Sequence, residues 1–274
     1  MARFDKPILL EGRGMIMLSG PDRKLFLQGL ITNDVEKISR NSALYAALLT
    51  PQGKFLHDFF IFDGGEKLWM DCEKDRRDDL VRRLMMYRLR ADVEISPADH
   101  SVIAAPGPVS GAILSAPDPR CSALGYRNIL MDIPEDHGTA ESYDRLRLEC
   151  GVPDGARDFT VDGTLILEGN MAELHGVDFD KGCYVGQEVT ARMKYRASLK
   201  KRLLPVTVDG PLPERGTIIT GQTGKKIGDI RSGLGHRAIG YFRLADMRYG
   251  DSYDCGAARV SPWRPDWLPE EGTK

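Results

Sequence analysis

Between Pro21 and Asp34 the apolar residues Leu25, Phe26, Leu30 and Ile31 recur at helical spacing. The pattern predicts a helix capped by Asp22 and ended by Thr32-Asn33-Asp34. Two extended apolar runs, Leu44–Thr50 and Lys54–Phe62, flank the turn Pro51-Gln52-Gly53 and predict a hairpin. Asp63-Gly64-Gly65 turns the chain into a third strand, Lys67–Cys72. A charged amphipathic helix follows from about Lys74 to Arg88, with Leu80, Val81, Leu84, Met85 and Leu89 on its apolar face. Strands are expected at Asp92–Ser96 and Val102–Ala105, and Pro106–Asp136 reads as loops with short strands. This order of elements describes an α+β module.

Thr139 and Ser142 precede a helix that runs through Leu148 and stops at Gly151 and Pro153. Asp178–Tyr195 reads as a loop entering a short helix near Gly186. Beyond Leu199, short β runs at Leu203–Val208, Thr217–Thr220, Lys226–Ile230, Ala238–Leu244 and Ala258–Val260 are separated by turn residues. Their regular spacing suggests a small barrel.

The chain has 274 residues, 42% hydrophobic and 28% charged, with a net charge of −2. That composition suits a globular protein and gives no global field for nucleic acid or acidic membranes. No apolar run approaches the ~20 residues of a membrane span. Residues 1–14 resemble neither a secretory nor a transit peptide, so a cytoplasmic location is the expectation. The cysteines Cys72, Cys121, Cys150, Cys183 and Cys255 are scattered, without a C-x-x-C pair. They predict neither a disulfide framework nor a metal cage. Phosphate-loop, dinucleotide and serine-hydrolase motifs are absent.

The densest local signal is Lys181-Gly182-Cys183-Tyr184-Val185-Gly186-Gln187-Glu188. Lys181 and a helix starting beyond Gly186 both favour a thiolate at Cys183, which marks it as a candidate functional thiol. Gly182 and Gly186 permit a sharp bend or a close approach. Gln187 and Glu188 suit either a first helical turn or a direct role. Glu149 sits at a helix end, where the dipole disfavours an anion. A carboxylate there can accept the paired N–H groups of a pterin edge. The basic run from Arg192 to Arg202 reads as a solvated face able to meet an acidic tail.

This signature resembles K-G-C-[FY]-x-G-Q-E of the YgfZ family, folate-binding relatives of the glycine-cleavage T-protein that act in iron–sulfur protein maturation. Further similarity lies in Phe26-Leu27-Gln28-Gly29 with Thr32-Asn33-Asp34, in Leu48–Lys54, in Arg147-Leu148-Glu149 with Gly151-Val152-Pro153, and in Val177–Asp180 and Thr190-Ala191-Arg192. The resemblance covers roughly residues 15 to 200. It implies an α+β, three-domain ring with a C-terminal β-barrel. Its domains would be 1–50 joined to 138–197, an insert at 51–137, and a barrel at 198–274.

The resemblance also implies tetrahydrofolate bound near the centre, with Glu149, Asn33, Asp58 and Arg192 as folate-binding residues and Cys183 with Lys181 as the functional pair. Gly182, Tyr184, Gly186, Gln187 and Glu188 complete the motif, and no metal site is expected. Asp58 falls where the T-protein has paired carboxylates, and His57 stands in place of the first. Three function classes follow: a folate-dependent maturation or repair factor for iron–sulfur proteins, an aminomethyltransferase or demethylase, and a non-catalytic scaffold. The family role extends to enzymes that modify tRNA and to oxidative stress. The implied partners are reduced folate and iron–sulfur client or assembly proteins, with no direct nucleic acid or membrane, for a chain expected to be a monomer.

Overall fold

The structure, a computed structural model, describes residues 6–196 and 199–270. Residues 1–5, part of the amino-terminal reading, and 197–198, part of the basic run, lie outside them. The chain opens with β1 (Ile8–Leu9), β2 (Arg13–Ser19) and α1 (Arg23–Gln28). The expected hairpin is β3 (Ala43–Leu49) and β4 (Phe55–Asp63), followed by β5 (Leu68–Glu73) and α2 (Arg77–Arg88). Next come β6 (Glu94–Ala98), β7 (Ser101–Ala105), β8 (Leu114–Pro117) and β9 (Tyr126–Leu130). Three helices follow: α3 (Ala140–Glu149), α4 (Gly155–Asp158) and α5 (Gln187–Arg196). The last strands are β10 (Lys201–Asp209), β11 (Ile218–Thr220), β12 (Lys226–Leu234), β13 (Arg237–Arg243), β14 (Tyr253–Cys255) and β15 (Ala258–Pro262).

Three sheets organise these elements. One has the order β3-β4-β5-β2-β6, a second the order β1-β7-β9-β8, and the third closes as the barrel β10-β13-β12-β11-β14-β15. Closure removes the unpaired edges that a small open sheet would expose. The α+β class and the terminal barrel agree with the sequence pattern.

β4 occupies an inner position, and every residue from Phe55 to Phe62 is buried. Its side chains alternate between two cores. Phe60 and Phe62 join Tyr45, Ala47, Leu148 and Phe159, while Phe59 and Ile61 join Leu27, Ile31, Leu80 and Leu84. β2 is also inside its sheet, between β5 and β6, and is buried on both faces. Its lack of alternation is why the sequence pattern passed over it. Pro97 falls in β6, an edge strand, where a missing N–H is tolerated.

The helical faces differ from expectation. α1 is short and buries Phe26 and Leu27, leaving Leu25 75% exposed. α2 buries only Leu80 and Leu84, four residues apart. Met85 and Leu89 face solvent, because the helix ends at Arg88 and Leu89 turns out with φ 43°. Asp22 holds the N-cap position of α1 without a side-chain capping bond; its carboxylate instead accepts from the Asp92 amide.

The boundary expected at 50/51 falls inside the hairpin, where β3 and β4 pair from Ala43↔Phe62 to Leu49↔Phe55. β2, from the expected first domain, also pairs with β5 and β6 of the expected insert. Cutting there would strand two rows of backbone donors and acceptors. The segment after α3 packs onto the same core through Phe159, Ile166, Leu167 and Met171.

Candidate functional site

The signature loop is pinned from below. The Lys181 ammonium donates to the carbonyl oxygens of Gln28, Ile31 and Asn33 at 2.7–2.8 Å, which uses all three of its protons. Burial pushes this ammonium down to about 8, partly offset by Asp34 and Asp178. Tyr184 is buried in the core beside it, and burial lifts its phenol to about 12. Between these anchors Cys183 is exposed, whereas Cys72 and Cys255 are buried and Cys121 and Cys150 are half-buried.

Gly186 adopts φ +83°, and a Cβ there would lie 2.5 Å from the Thr50 oxygen. Gly53, in the hairpin turn, has φ +74°, and its Cβ would meet Val189 at 2.9 Å. Two glycines that the sequence places 133 positions apart therefore face each other, and the tip of the β3–β4 hairpin seats on the start of α5. A Cβ on Gly182 would meet nothing within 4 Å, so no close contact demands a glycine there.

The expected thiolate pairing changes accordingly. The Lys181 charge is spent on three carbonyls rather than offered to Cys183. α5 begins at Gln187, four residues beyond the thiol. Lys181 is a positioning residue for the loop.

A second feature is a cavity of about 300 Å³ under β4, lined by Arg13, Phe60, Arg120, Arg127, Tyr143, Asp144, Arg147, Asp154, Gly155 and Arg157 among others. Ala140, Tyr143, Asp144 and Arg147 of α3 reach it together, because three- and four-residue steps share one helical face. The Arg127 guanidinium lies 3.9 Å from the Phe60 ring centroid, and those of Arg120 and Arg13 at 4.8 and 5.6 Å. Buried carboxylates hold the arginines from behind. Arg13 and Arg127 both bind Asp71, Arg127 and Arg120 bind Asp118, and Arg147 binds Asp144 and Asp158. Burial opposes the Asp118 charge, but Arg120 and Arg127 outweigh it and hold the carboxyl down to about 2. The result is a rigid wall of guanidiniums and aromatic faces.

Asp58 lies just behind this wall. A Cβ on Gly155, which lines the cavity, would fall 2.7 Å from Asp58 Oδ1. The Tyr45 hydroxyl donates to Asp58 Oδ2 at 3.1 Å. Burial raises the Asp58 carboxyl above its ordinary value, against the pull of Arg13 and Arg120. A carboxyl of that kind is able to hold a proton beside a ligand. His57, its chain neighbour, points to the opposite face of the sheet and meets Asp79 of α2 at 2.9 Å. The position where the resemblance leads one to expect the first of two carboxylates thus faces α2, away from Tyr45 and Asp58.

The other expected folate residues disperse. The Asn33 amide is buried and donates to the Tyr45 and His175 oxygens, a structural clamp. Arg192 is exposed and paired with Glu188, one turn away on α5. Glu149 is half-buried at the end of α3, engaged with a neighbour, and lies off the helical face that lines the cavity. The arginine wall was missed in the sequence. Its available signal was arginine in apolar strands, as in Tyr126-Arg127-Asn128-Ile129-Leu130.

Residues 10–129 match the GCVT N-terminal domain family, and residues 200–270 match the CAF17 C-terminal β-barrel domain family. The iron–sulfur cluster assembly factor IBA57, mitochondrial, of Homo sapiens is 32% identical over 95% of this chain and 84% of that protein. The Mus musculus protein of the same name is 29% identical over the same shares. Among solved structures, the glycine cleavage system aminomethyltransferase T from Bartonella henselae superposes with a TM-score of 0.77 at 14% identity. That match covers 96% of this chain and 86% of the other. The fold is thus the aminomethyltransferase-like one with a closed terminal barrel. The mouse, human and fungal relatives are all named mitochondrial, which overturns the cytoplasmic expectation. That expectation rested on the composition of residues 1–14 and on the lack of a long apolar run.

Proposed function

Because the chain belongs to the IBA57 family, we propose that it is an iron–sulfur cluster assembly factor that binds a reduced folate and presents Cys183 to a partner. The observation that carries this reading is the 32% identity with human IBA57 across 95% of the chain. The signature loop supports the finer, YgfZ-like reading. Cys183 alone among the five cysteines is exposed, on a loop whose base is locked by Lys181 and Tyr184. Among the described residues no group of three or more His, Cys, Asp or Glu side chains gathers to hold a metal. A cluster, which takes about four ligands, would be cargo held with ligands from the partner protein as well.

The lining of the cavity supports the folate reading. Phe60 and Tyr143 offer aromatic surface, the guanidiniums suit carbonyl and carboxylate oxygens, and Asp58 can hold a proton behind Gly155. Bound there, a reduced folate would supply one-carbon or redox chemistry. Arg13, Arg120 and Arg147 would orient it, and their fixed ion pairs mean little reorganisation on binding.

The cellular test is complementation of a deletion strain, reading the activity of an iron–sulfur enzyme. Wild type should restore activity and Cys183→Ala should not, at equal protein level; full rescue by Cys183→Ala sinks the thiol assignment. The folate test is calorimetry with tetrahydrofolate. Arg157→Ala, at the cavity mouth, should weaken binding about 5- to 20-fold. A loss seen only with Glu149→Ala would move the ligand off this cavity, and no binding by wild type would remove the folate reading.

A further inference from the structure

A second cavity, of about 320 Å³, opens where the first two sheets meet. β2 and β6 bound it from one sheet, and β1 and β7 from the other. Lys74 and Arg77 reach it from the turn that enters α2, and His100 from the turn between β6 and β7. A Cβ on Gly14 would lie 3.2 Å from the Lys74 Cα and 3.3 Å from the Arg77 Cδ, so the bare backbone of β2 lets both residues lie close over the strand. Two buried nitrogens in this lining, Arg77 Nε and His100 Nδ1, have no hydrogen-bond partner in the protein. The Asp78 carboxylate stands 3.7 Å from Arg77 Nε, beyond hydrogen-bonding distance. Buried polar groups left unpaired are rare and costly, so two in one cavity call for a ligand.

We propose that this cavity is an oxyanion site, which takes a carboxylate or phosphate group of a small molecule. Arg77 presents a guanidinium, Lys74 an ammonium, and His100 an imidazole that can carry its proton on Nδ1. All three donate to an anion. Arg13 adds to them from the inner wall: Asp71 takes its Nε and Nη2, which leaves Nη1. Two carboxylates, Glu11 and Asp99, also line the cavity, and both are exposed to water, where their charge is screened. The unpartnered nitrogens are buried, where an interaction is worth more, so they and not the exposed acids set what the site accepts.

The anion has two sources. Leu10 and Arg13 line both this cavity and the arginine cavity. A ligand whose ring lies in the arginine cavity can therefore place an acidic end here, a source that rests on the folate reading. A free anion such as phosphate needs no such reading. The site also carries its own reporter, since the His100 ring meets Trp69 edge-on with ring centroids 4.6 Å apart. A group bound at His100 changes the surroundings of that indole.

The test titrates the full chain with inorganic phosphate, read by calorimetry and by tryptophan emission. The expected result is saturable binding below about 10 mM, weakened about 10-fold by Arg77→Gln and about 3-fold by Lys74→Gln, with the emission change lost in Trp69→Phe. Lys74 is exposed, so Lys74→Gln decides should Arg77→Gln fail to fold. No saturable binding, or equal affinity in wild type and both variants, overturns the proposal. So does binding weakened by Arg157→Ala alone, which would belong to the arginine cavity. The two sources are separated with tetrahydrofolate and 6-methyltetrahydropterin, which has the ring and no carboxylate. If Arg77→Gln weakens the first and not the second, the site takes the acidic end of that ligand. If it weakens neither, the site takes a free anion. Failure of tetrahydrofolate to bind at all would remove the folate reading and leave the phosphate result standing.

Discussion

The Lys181 ammonium donates to the Ile31 carbonyl at 2.7 Å, which ties the signature loop to the end of the first helix. The same ammonium serves Gln28 and Asn33, so three orphan carbonyls near a helix end depend on one side chain. Lys181→Met keeps the length and removes the donors. It should cost about 2–4 kcal/mol in a urea unfolding experiment, because charge-assisted bonds are lost and buried acceptors are left unpaired. A cost under about 0.5 kcal/mol would show that the loop is held by other contacts.

Gly186 and Gly182 should respond oppositely to alanine. Gly186→Ala forces a Cβ to 2.5 Å from the Thr50 oxygen at φ +83°, so the hairpin tip or α5 must move. A loss of about 1–3 kcal/mol is expected, together with faster alkylation of Cys183 as the loop loosens. Gly182→Ala enters open space and should change stability by less than about 0.5 kcal/mol. Equal melting temperatures for the two variants would contradict this geometry.

His57 should make the fold acid-sensitive. Burial and Arg76 lower its imidazole from 6.5 to about 4, although Asp79 pulls the other way. Between these values the unfolded chain takes up a proton that the folded chain refuses, so stability falls as pH falls through that window. The slope has a ceiling of ~1.4 kcal/mol per pH unit. Asp58 and Asp158, both raised by burial, act in the opposite sense. The readout is therefore the difference between wild type and His57→Gln at pH 7, 5.5 and 4.5 on the ordinary pH scale. That difference should shift toward the variant as acid is added, and a constant difference would remove His57 as the cause.

Arg147 joins α3 to the barrel. Its guanidinium is 1% exposed and binds Asp144, Asp158, the Val152 carbonyl and the Ser232 hydroxyl. Arg147→Met would leave Asp158, which is fully buried, without its cation. A loss of about 3–5 kcal/mol is expected by chemical denaturation. Arg157→Ala, at a half-exposed position of the same network, should cost no more than about 1 kcal/mol. Similar losses for the two would mean that burial does not set the energetics here.

The chain itself carried the class of the fold, the hairpin, the barrel and the location of the signature, because these are written in local periodicity and turn chemistry. β3 and β4, joined by Pro51-Gln52-Gly53, pair as sequence neighbours, as do β12 with β13 and β14 with β15 in the barrel, whereas β10 crosses to β13 and β15 to close it. The relation to iron–sulfur assembly factors and to the aminomethyltransferase fold was also legible, through the resemblance carried by residues 181–188, although the family shown is that of IBA57 rather than YgfZ.

Only the tertiary structure decided what the side chains do. Lys181 stands two residues from Cys183, and proximity in sequence suggested a charge for the thiol. Its protons instead go to residues some 150 positions away. His57 and Asp58 are adjacent in the chain and lie on opposite faces of β4, so one meets Asp79 and the other Tyr45. The arginine wall gathers Arg13, Arg120, Arg127 and Arg147 from three separate elements and a loop. No local pattern encodes that meeting. It follows from strand register and helical phase, which fix direction only once every strand has found its partner.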